Sequence, residues 1–212
     1  MLPKYISYEN VPELKNVYTE VFVDLCDRLE KLGYNVYHNI LESYNFGNPT
    51  TRKRLFLIAI RKDIDKGKFS MPQKGNVKES MEEYLLDNVD KKFYVKENVE
   101  FSPAKRKVRK KNERIGYLIV GKNKASQTNR VFARNECCPC ICRKDARYWI
   151  PEGDTYRRLT PEEMWLISGY SEEDYQKIDG HFSTTRMGSL IGNSISLGPL
   201  QEIYRKLFES QE

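Results

Sequence analysis

The chain has 212 residues, 39% of them hydrophobic and 31% charged, with a mean hydropathy of −0.70. That balance suits a globular protein with one main core and a smaller second one, and no stretch approaches the run of about twenty apolar residues that a membrane helix needs. Met1-Leu2-Pro3-Lys4 is not followed by the apolar run of a signal peptide, and five cysteines, four of them crowded between Cys137 and Cys142, do not form a secreted disulfide framework, so a cytoplasmic location is expected.

The net charge of +6 is unevenly spread. Residues 1–62 carry 9 basic and 7 acidic side chains, residues 63–150 carry 21 and 12, and residues 151–212 carry 6 and 11. A positive middle between weakly charged and acidic flanks points to a polyanion-binding segment.

Lys4 to Tyr8 is a short apolar-rich run after a proline, and it reads as a strand. Leu14, Val17, Val21, Leu25, Leu29 and Leu32 then recur at helical spacing, and Gly33 supplies the stop. Cys26 lies beside that stripe and reads as a small buried hydrophobe. Tyr34 to Leu41 alternates like a strand, and its single imidazole, His38, is expected to be structural.

The centre of the pattern is Asn48-Pro-Thr-Thr-Arg-Lys-Arg-Leu-Phe-Leu-Ile-Ala-Ile60. Leu55 to Ile60 is an unbroken apolar run, expected to be a strand buried on both faces within a parallel or mixed sheet. Arg52 and Arg54 stand just before it. On an extended backbone they point the same way, so both guanidinium groups can reach one anionic or carbonyl-bearing ligand. The alternative is a solvated charged flank.

Past Asp63 the periodicity weakens, and Glu79 to Val89 reads as a short helix. Lys105 to Arg114 packs seven positive charges into ten positions, ahead of a strand over Ile115 to Val120. A solvated loop is one reading; in this basic region, phosphate contact through Lys105, Arg106, Lys107, Arg109, Lys110 and Lys111 is the better one. Short apolar runs separated by turn residues through Cys142 predict a small, mostly β module. Cys137-Cys-Pro-Cys-Ile-Cys142 lacks the separated paired halves of a zinc site, and no metal is expected.

Thr160-Pro-Glu-Glu163 combines an N-cap, a proline at N1 and a glutamate at N3, a well-formed helix start. Ser171 with Asp174 can start another short helix. Met187 to Ser194 reads as a polar, glycine-containing turn, and Leu200, Ile203, Tyr204 and Leu207 mark a final amphipathic helix over residues 199–208.

Taken in order, Tyr8-Glu-Asn-Val11, Gly47-Asn-Pro-Thr-Thr-Arg-Lys-Arg-Leu-Phe56, Arg158-Leu-Thr-Pro-Glu-Glu163 with Gly169-Tyr170, and Ile191-Gly-Asn-Ser-Ile195 resemble the DNA (cytosine-5)-methyltransferase family. A variable basic region stands where that family places its target-recognition domain, and the look is nearest to the CpG-type enzymes of mycoplasma-like bacteria. The resemblance implies an α/β fold, the C-terminal part of a Rossmann-like methyltransferase domain with an inserted small β module. It divides the chain into 1–62 and 155–212, catalytic, and 63–154, target recognition.

It also implies roles. Glu9 contacts the flipped cytosine near N3, Arg54 approaches O2 with Arg52 in support, and Asn193 and Ser194 close against S-adenosylmethionine. Thr50 stands where the family has glutamine, and Pro139-Cys-Ile-Cys142 where it has Pro-Thr-Leu-Thr. The family's catalytic cysteine and Gly-rich cofactor loop precede Glu-Asn-Val, and neither is found ahead of Glu9. The resemblance therefore implies a component that binds duplex DNA and needs a protein partner carrying the first catalytic half. The competing readings are a DNA-binding module without chemistry and a nonfunctional remnant.

Overall fold

A computed structural model describes residues 2–73, 75, 79–96, 99–104, 112–119, 127–142 and 148–212. Its first unit is a three-stranded sheet of β1 (Tyr5–Asn10), β2 (Tyr34–Glu42) and β3 (Lys53–Arg61), in the order β1-β3-β2. The apolar run occupies the middle strand, as its residues demand, but both of its ladders are antiparallel, which corrects the parallel pairing considered for it. Glu9 lies opposite Phe56, and Leu41 opposite Arg54.

Period-two alternation splits β3 between two cores. Leu55, Leu57 and Ala59 face α2 (Thr19–Lys31), packed with Phe22, Leu25, Cys26 and Leu29. Phe56, Ile58 and Ile60 face α6 (Leu197–Glu209), packed with Ile203 and Leu207. A helix on each face explains why β3 needs no polar side. The predicted final helix therefore holds, three residues longer at its ends; Pro199 sits in its first turn, where a missing N–H costs nothing.

The predicted stripe over 14–32 is corrected. It is broken into α1 (Glu13–Asn16) and α2, and the sheet-facing residues are Phe22, Leu25, Cys26 and Leu29. Val17, Tyr18, Val21 and Leu32 stay exposed. Burial pushes the Cys26 thiol upward, in keeping with a packing role.

His38, on β2, meets the edge of the Phe22 ring, and its Nδ1 lies 3.3 Å from Lys15 Nζ. Burial, then the lysine charge, holds this imidazole below its ordinary 6.5. The unfolded chain thus binds the proton more readily, so the stability His38 contributes is full above about pH 6.5 and is lost as pH falls below it. Melting temperatures followed from about pH 7.5 to 5 should drop more steeply for the wild type than for His38→Phe; parallel curves would contradict this.

The second sheet, lying between β3 and α6 in sequence, runs β4 (Glu100–Pro103), β5 (Arg114–Ile119), β6 (Arg130–Phe132), β7 (Tyr148–Glu152), β8 (Thr155–Arg157). Among its described strand pairs only β6–β7 is parallel. Gly116 lets β5 lie against β4, since a Cβ there would meet Phe101 and the Ser102 carbonyl at 2.5 Å. The predicted helix over 79–89 is corrected to one 3-10 turn, Met81–Tyr84, closed by a Ser80–Glu83 capping box. It ends because the Leu86 N–H goes to Glu163 Oε1 rather than back along a helix.

Three helices follow: α3 (Pro161–Ile167), α4 (Glu172–Gln176) and α5 (Thr184–Asn193). The predicted caps at Thr160 and Ser171 are both made. The turn predicted over 187–194 is corrected: most of it is helical, because Met187 and Ile191, one turn apart, bury in a common core with Met164 and Ile167 of α3 and Ile150 of β7. Packing there overrides the low helix propensity of Gly188 and Gly192. The boundary expected between 154 and 155 falls in the β7–β8 turn at Gly153, and α6 carries the chain back onto the first sheet.

Candidate functional site

Where β1 and β3 lie side by side, Glu9 and Arg54 meet. Arg54 Nε stands 2.9 Å from Glu9 Oε1, with both side chains about one-fifth exposed, 19% and 23%. The N–H is not aimed along that line, so Oε1 is a buried carboxylate oxygen without a hydrogen bond. A buried acceptor left in this state is costly unless a further donor completes it. The register explains the meeting, since Glu9 and Arg54 sit near the same end of adjacent antiparallel strands.

Arg52 does not share that direction, which corrects the expectation that both guanidinium groups reach one ligand. Its side chain is 6% exposed. Nη1 donates to the carbonyls of Ile141 and Gly192, each at 3.2 Å, and Nη2 donates to that of Ser194 at 2.5 Å. It thereby clamps the cysteine-rich segment to the end of α5, just behind Arg54.

The approach to β3 is built to hold this clamp. Thr50 pairs with Cys138 in a parallel bridge, Cys138 N donates to Pro49 O, and Thr51 N donates to Cys138 O. Asn48 Oδ1 accepts from Gly198 N at 2.8 Å, and a Cβ on Gly198 would fall 2.0 Å from Phe46 O, so this loop and α6 fit only with glycine.

Ser194 closes α5, its hydroxyl donating to Ile191 O at 2.6 Å. The Ser194 carbonyl is held by Arg52, and the Asn193 side chain is exposed beside it. Within the cysteine segment, Cys138 is buried against the Tyr148 hydroxyl at 2.6 Å, and burial pushes its thiol up to about 12. Among the described residues no group of His, Cys, Asp or Glu side chains converges on a metal-sized site. Lys105, Arg106, Lys107, Arg109, Lys110 and Lys111 lie outside the described residues.

A second charged centre is one that sequence reasoning misses. Arg157 and Glu163 are both fully buried and joined by two bonds of 2.8 and 2.7 Å. Glu163 also accepts from the N–H groups of Thr160 and Leu86, and Arg157 Nε donates to Glu152 at 2.8 Å. One bidentate pair thus joins β8, the start of α3 and the strip after the 3-10 turn. A signal for it is present in the sequence: Glu163 is the N3 residue of a capping box, and an arginine three residues before the cap is its fork-shaped partner.

The fold is thus a helix-flanked sheet with an inserted β module, and a carboxylate–guanidinium pair at the sheet's end beside the module's cysteine segment. The chain belongs to the C-5 cytosine-specific DNA methylase family, whose pattern matches residues 1–209. It is 33% identical over 214 residues to the type II methyltransferase M2.ScrFI of Lactococcus lactis subsp. cremoris, covering 99% of this chain and 55% of that relative. It is 26% identical over 211 residues to the orphan methyltransferase M.SssI of Spiroplasma monobiae, covering 97% and 53%. The chain therefore spans about half the length of these relatives. Among solved structures, the fold matches the Dnmt2 methyltransferase of S. pombe with a TM-score of 0.72 at 20% identity, over 99% of this chain and 66% of that one. The Entamoeba histolytica methyltransferase EhMeth matches at 0.70 and 19%, over 99% and 64%. No helix among the described residues is long and apolar enough to cross a membrane.

Proposed function

We propose that this chain is the C-terminal part of a DNA (cytosine-5)-methyltransferase and supplies the groups that hold the extruded base. The observation that carries the reading is the buried, incompletely bonded Oε1 of Glu9 beside the Arg54 guanidinium. A Glu9 carboxyl group bonded at N3 and a cation at O2 stabilise the charge that spreads over the ring when a cysteine thiolate attacks C6. The base must leave the duplex to reach them. Arg52 acts through position, tying the cysteine segment and the end of α5 to the start of the strand that carries Arg54.

S-adenosylmethionine supplies the electrophilic methyl group. Asn193 and Ser194 are assigned to meet it: the Asn193 side chain is exposed, and the Ser194 hydroxyl, while donating to Ile191 O, keeps its acceptor lone pairs. The rest of the pocket belongs to the half that carries the Gly-rich loop and the cysteine. Two features support docking of such a half: among the described residues β1 and β2 have unpaired outer edges, and Val11, Val17, Tyr18 and Val21 are exposed nearby. The division at 1–62, 63–154 and 155–212, and the likeness to CpG-type enzymes, are parts of this proposal.

Duplex DNA is gripped by the basic run. Neutralising Lys105, Arg106, Arg109 and Lys110 together should lower the slope of log affinity against log salt by about one unit for each phosphate no longer neutralised. An unchanged slope in the folded variant places the grip elsewhere.

The purified chain alone should transfer no label from S-adenosylmethionine to duplex DNA. Co-expressed with an N-terminal half of the family, it should co-purify and restore transfer. If a well-folded half neither binds nor restores transfer, the DNA-binding module takes the place of the enzyme component.

A further inference from the structure

The cysteine segment holds chemistry that methyl transfer does not use. Cys140 and Cys142 flank Ile141, whose side chain is buried in the core shared by β7, α3 and α5. Neither Cys140 nor Cys142 belongs to that core, and the Cys142 thiol folds back onto residue 140, which keeps the two thiols near one another. Cys140 is half-buried and Cys142 exposed. Cys140 Sγ lies 3.9 Å from Arg52 Nη1, and the Cys142 thiol donates to the Cys140 carbonyl at 3.4 Å.

The electrostatics divide the pair. The neighbouring Cys142 thiol, aided against burial by the charges of Arg52 and Arg54, holds Cys140 below its ordinary value. Cys142 is raised, first by its contact with Cys140. The Arg52 guanidinium, 3.9 Å from the Cys140 sulfur, favours the negative charge there and leaves the proton with Cys142. That is the division of labour of an attacking and a resolving cysteine. Cys138, buried and pushed up to about 12, cannot compete, and Cys26 is shifted upward on a different face.

We propose that Cys140 and Cys142 form an oxidant-sensitive dithiol, a modification site for small hydroperoxides beside the Arg52 guanidinium. The Cys140 thiolate attacks one oxygen of hydrogen peroxide. The O–O bond breaks, hydroxide leaves, and Cys140 becomes a sulfenic acid. The Cys142 sulfur then displaces the sulfenic oxygen as water, its thiol proton being consumed, and the S–S bond forms. In total two thiols lose two electrons and two protons, and one peroxide becomes two waters. The product no longer carries an anion beside Arg52, so the cation that clamps Ile141, Gly192 and Ser194 loses a counter-charge. Oxidation thereby reports on the contact between the β module and the end of α5. The thiol chemistry stands independently of whether the chain serves a methyltransferase.

The test treats the full chain with hydrogen peroxide and follows intact mass and cysteine-containing peptides. The wild type should lose two hydrogens, reversibly with dithiothreitol, with the new bond mapped between Cys140 and Cys142. Cys142→Ser should stop at a sulfenic acid on Cys140 that dimedone traps. Iodoacetamide should label Cys140 at least about tenfold faster than Cys26 at neutral pH. Cys26 reacting first, equal labelling rates, or Cys140 over-oxidised with Cys142 still free would each overturn the proposal. Cys142→Ser changes only an exposed side chain, and circular dichroism matching the wild type separates these outcomes from misfolding.

Discussion

Glu9→Gln, in an enzyme reassembled from this chain and an N-terminal half, should lower methyl transfer about 10²–10⁴-fold while leaving the assembly intact. The carboxyl and the amide have the same shape, so β1 keeps its register with β3 and the Arg54 contact loses charge without leaving a cavity. What disappears is the acid that can share a proton with N3 as charge builds on the ring. Arg54→Ala removes the cation at O2 and should cost about 10²–10³-fold, the usual effect of deleting one preorganised donor to a developing oxyanion. Single-turnover rates, measured beside DNA binding and gel-filtration profiles, separate these losses from failed assembly. Ordinary turnover in both variants would reject the assigned roles.

Glu163→Ala should be the most damaging substitution to folding. It leaves Arg157 charged, fully buried and deprived of its bidentate partner, and it also orphans the N–H groups of Thr160 and Leu86. Breaking a buried pair from one side costs about 3–5 kcal/mol, because the surviving charge is uncompensated. For a chain of this size that corresponds to a melting temperature lower by roughly 6–20 °C. The double variant Arg157→Met/Glu163→Leu should recover a large share of the loss, because the remaining cost is that of the orphaned N–H groups and Glu152. Urea or thermal unfolding measures both. A loss below about 1 kcal/mol for Glu163→Ala would mean that the pair is solvated and exerts little structural control.

How far local signals carry is clear from particular residues. The apolar run at Leu55–Ile60, the cap at Thr160 and the amphipathic end helix are written in short windows, and all three stand where expected. Strand pairing is not local: nothing in the run itself reveals that both neighbours of β3 are antiparallel. The stripe on α2 misleads because Val17, Val21 and Leu32 fit the spacing yet lie off the sheet-facing arc that Phe22 anchors. Glycines disguise α5 as a turn, since its helix depends on burial of Met187 and Ile191 rather than on propensity. At the candidate site, Glu9 and Arg54 are legible from the motifs and lie in contact. The inward turn of Arg52 is not, because its acceptors are backbone carbonyls some ninety and more residues away.

The central claim, that Glu9 and Arg54 serve chemistry at C5 of cytosine, is tested most directly by the identity of the product. DNA treated with the reassembled enzyme and methyl-labelled S-adenosylmethionine is digested to nucleosides and separated by chromatography with mass detection. Label is expected in 5-methyldeoxycytidine alone, and should nearly disappear with Glu9→Gln. Label on an exocyclic amino group of cytosine or adenine, or label in 5-methyldeoxycytidine undiminished by Glu9→Gln, would contradict it.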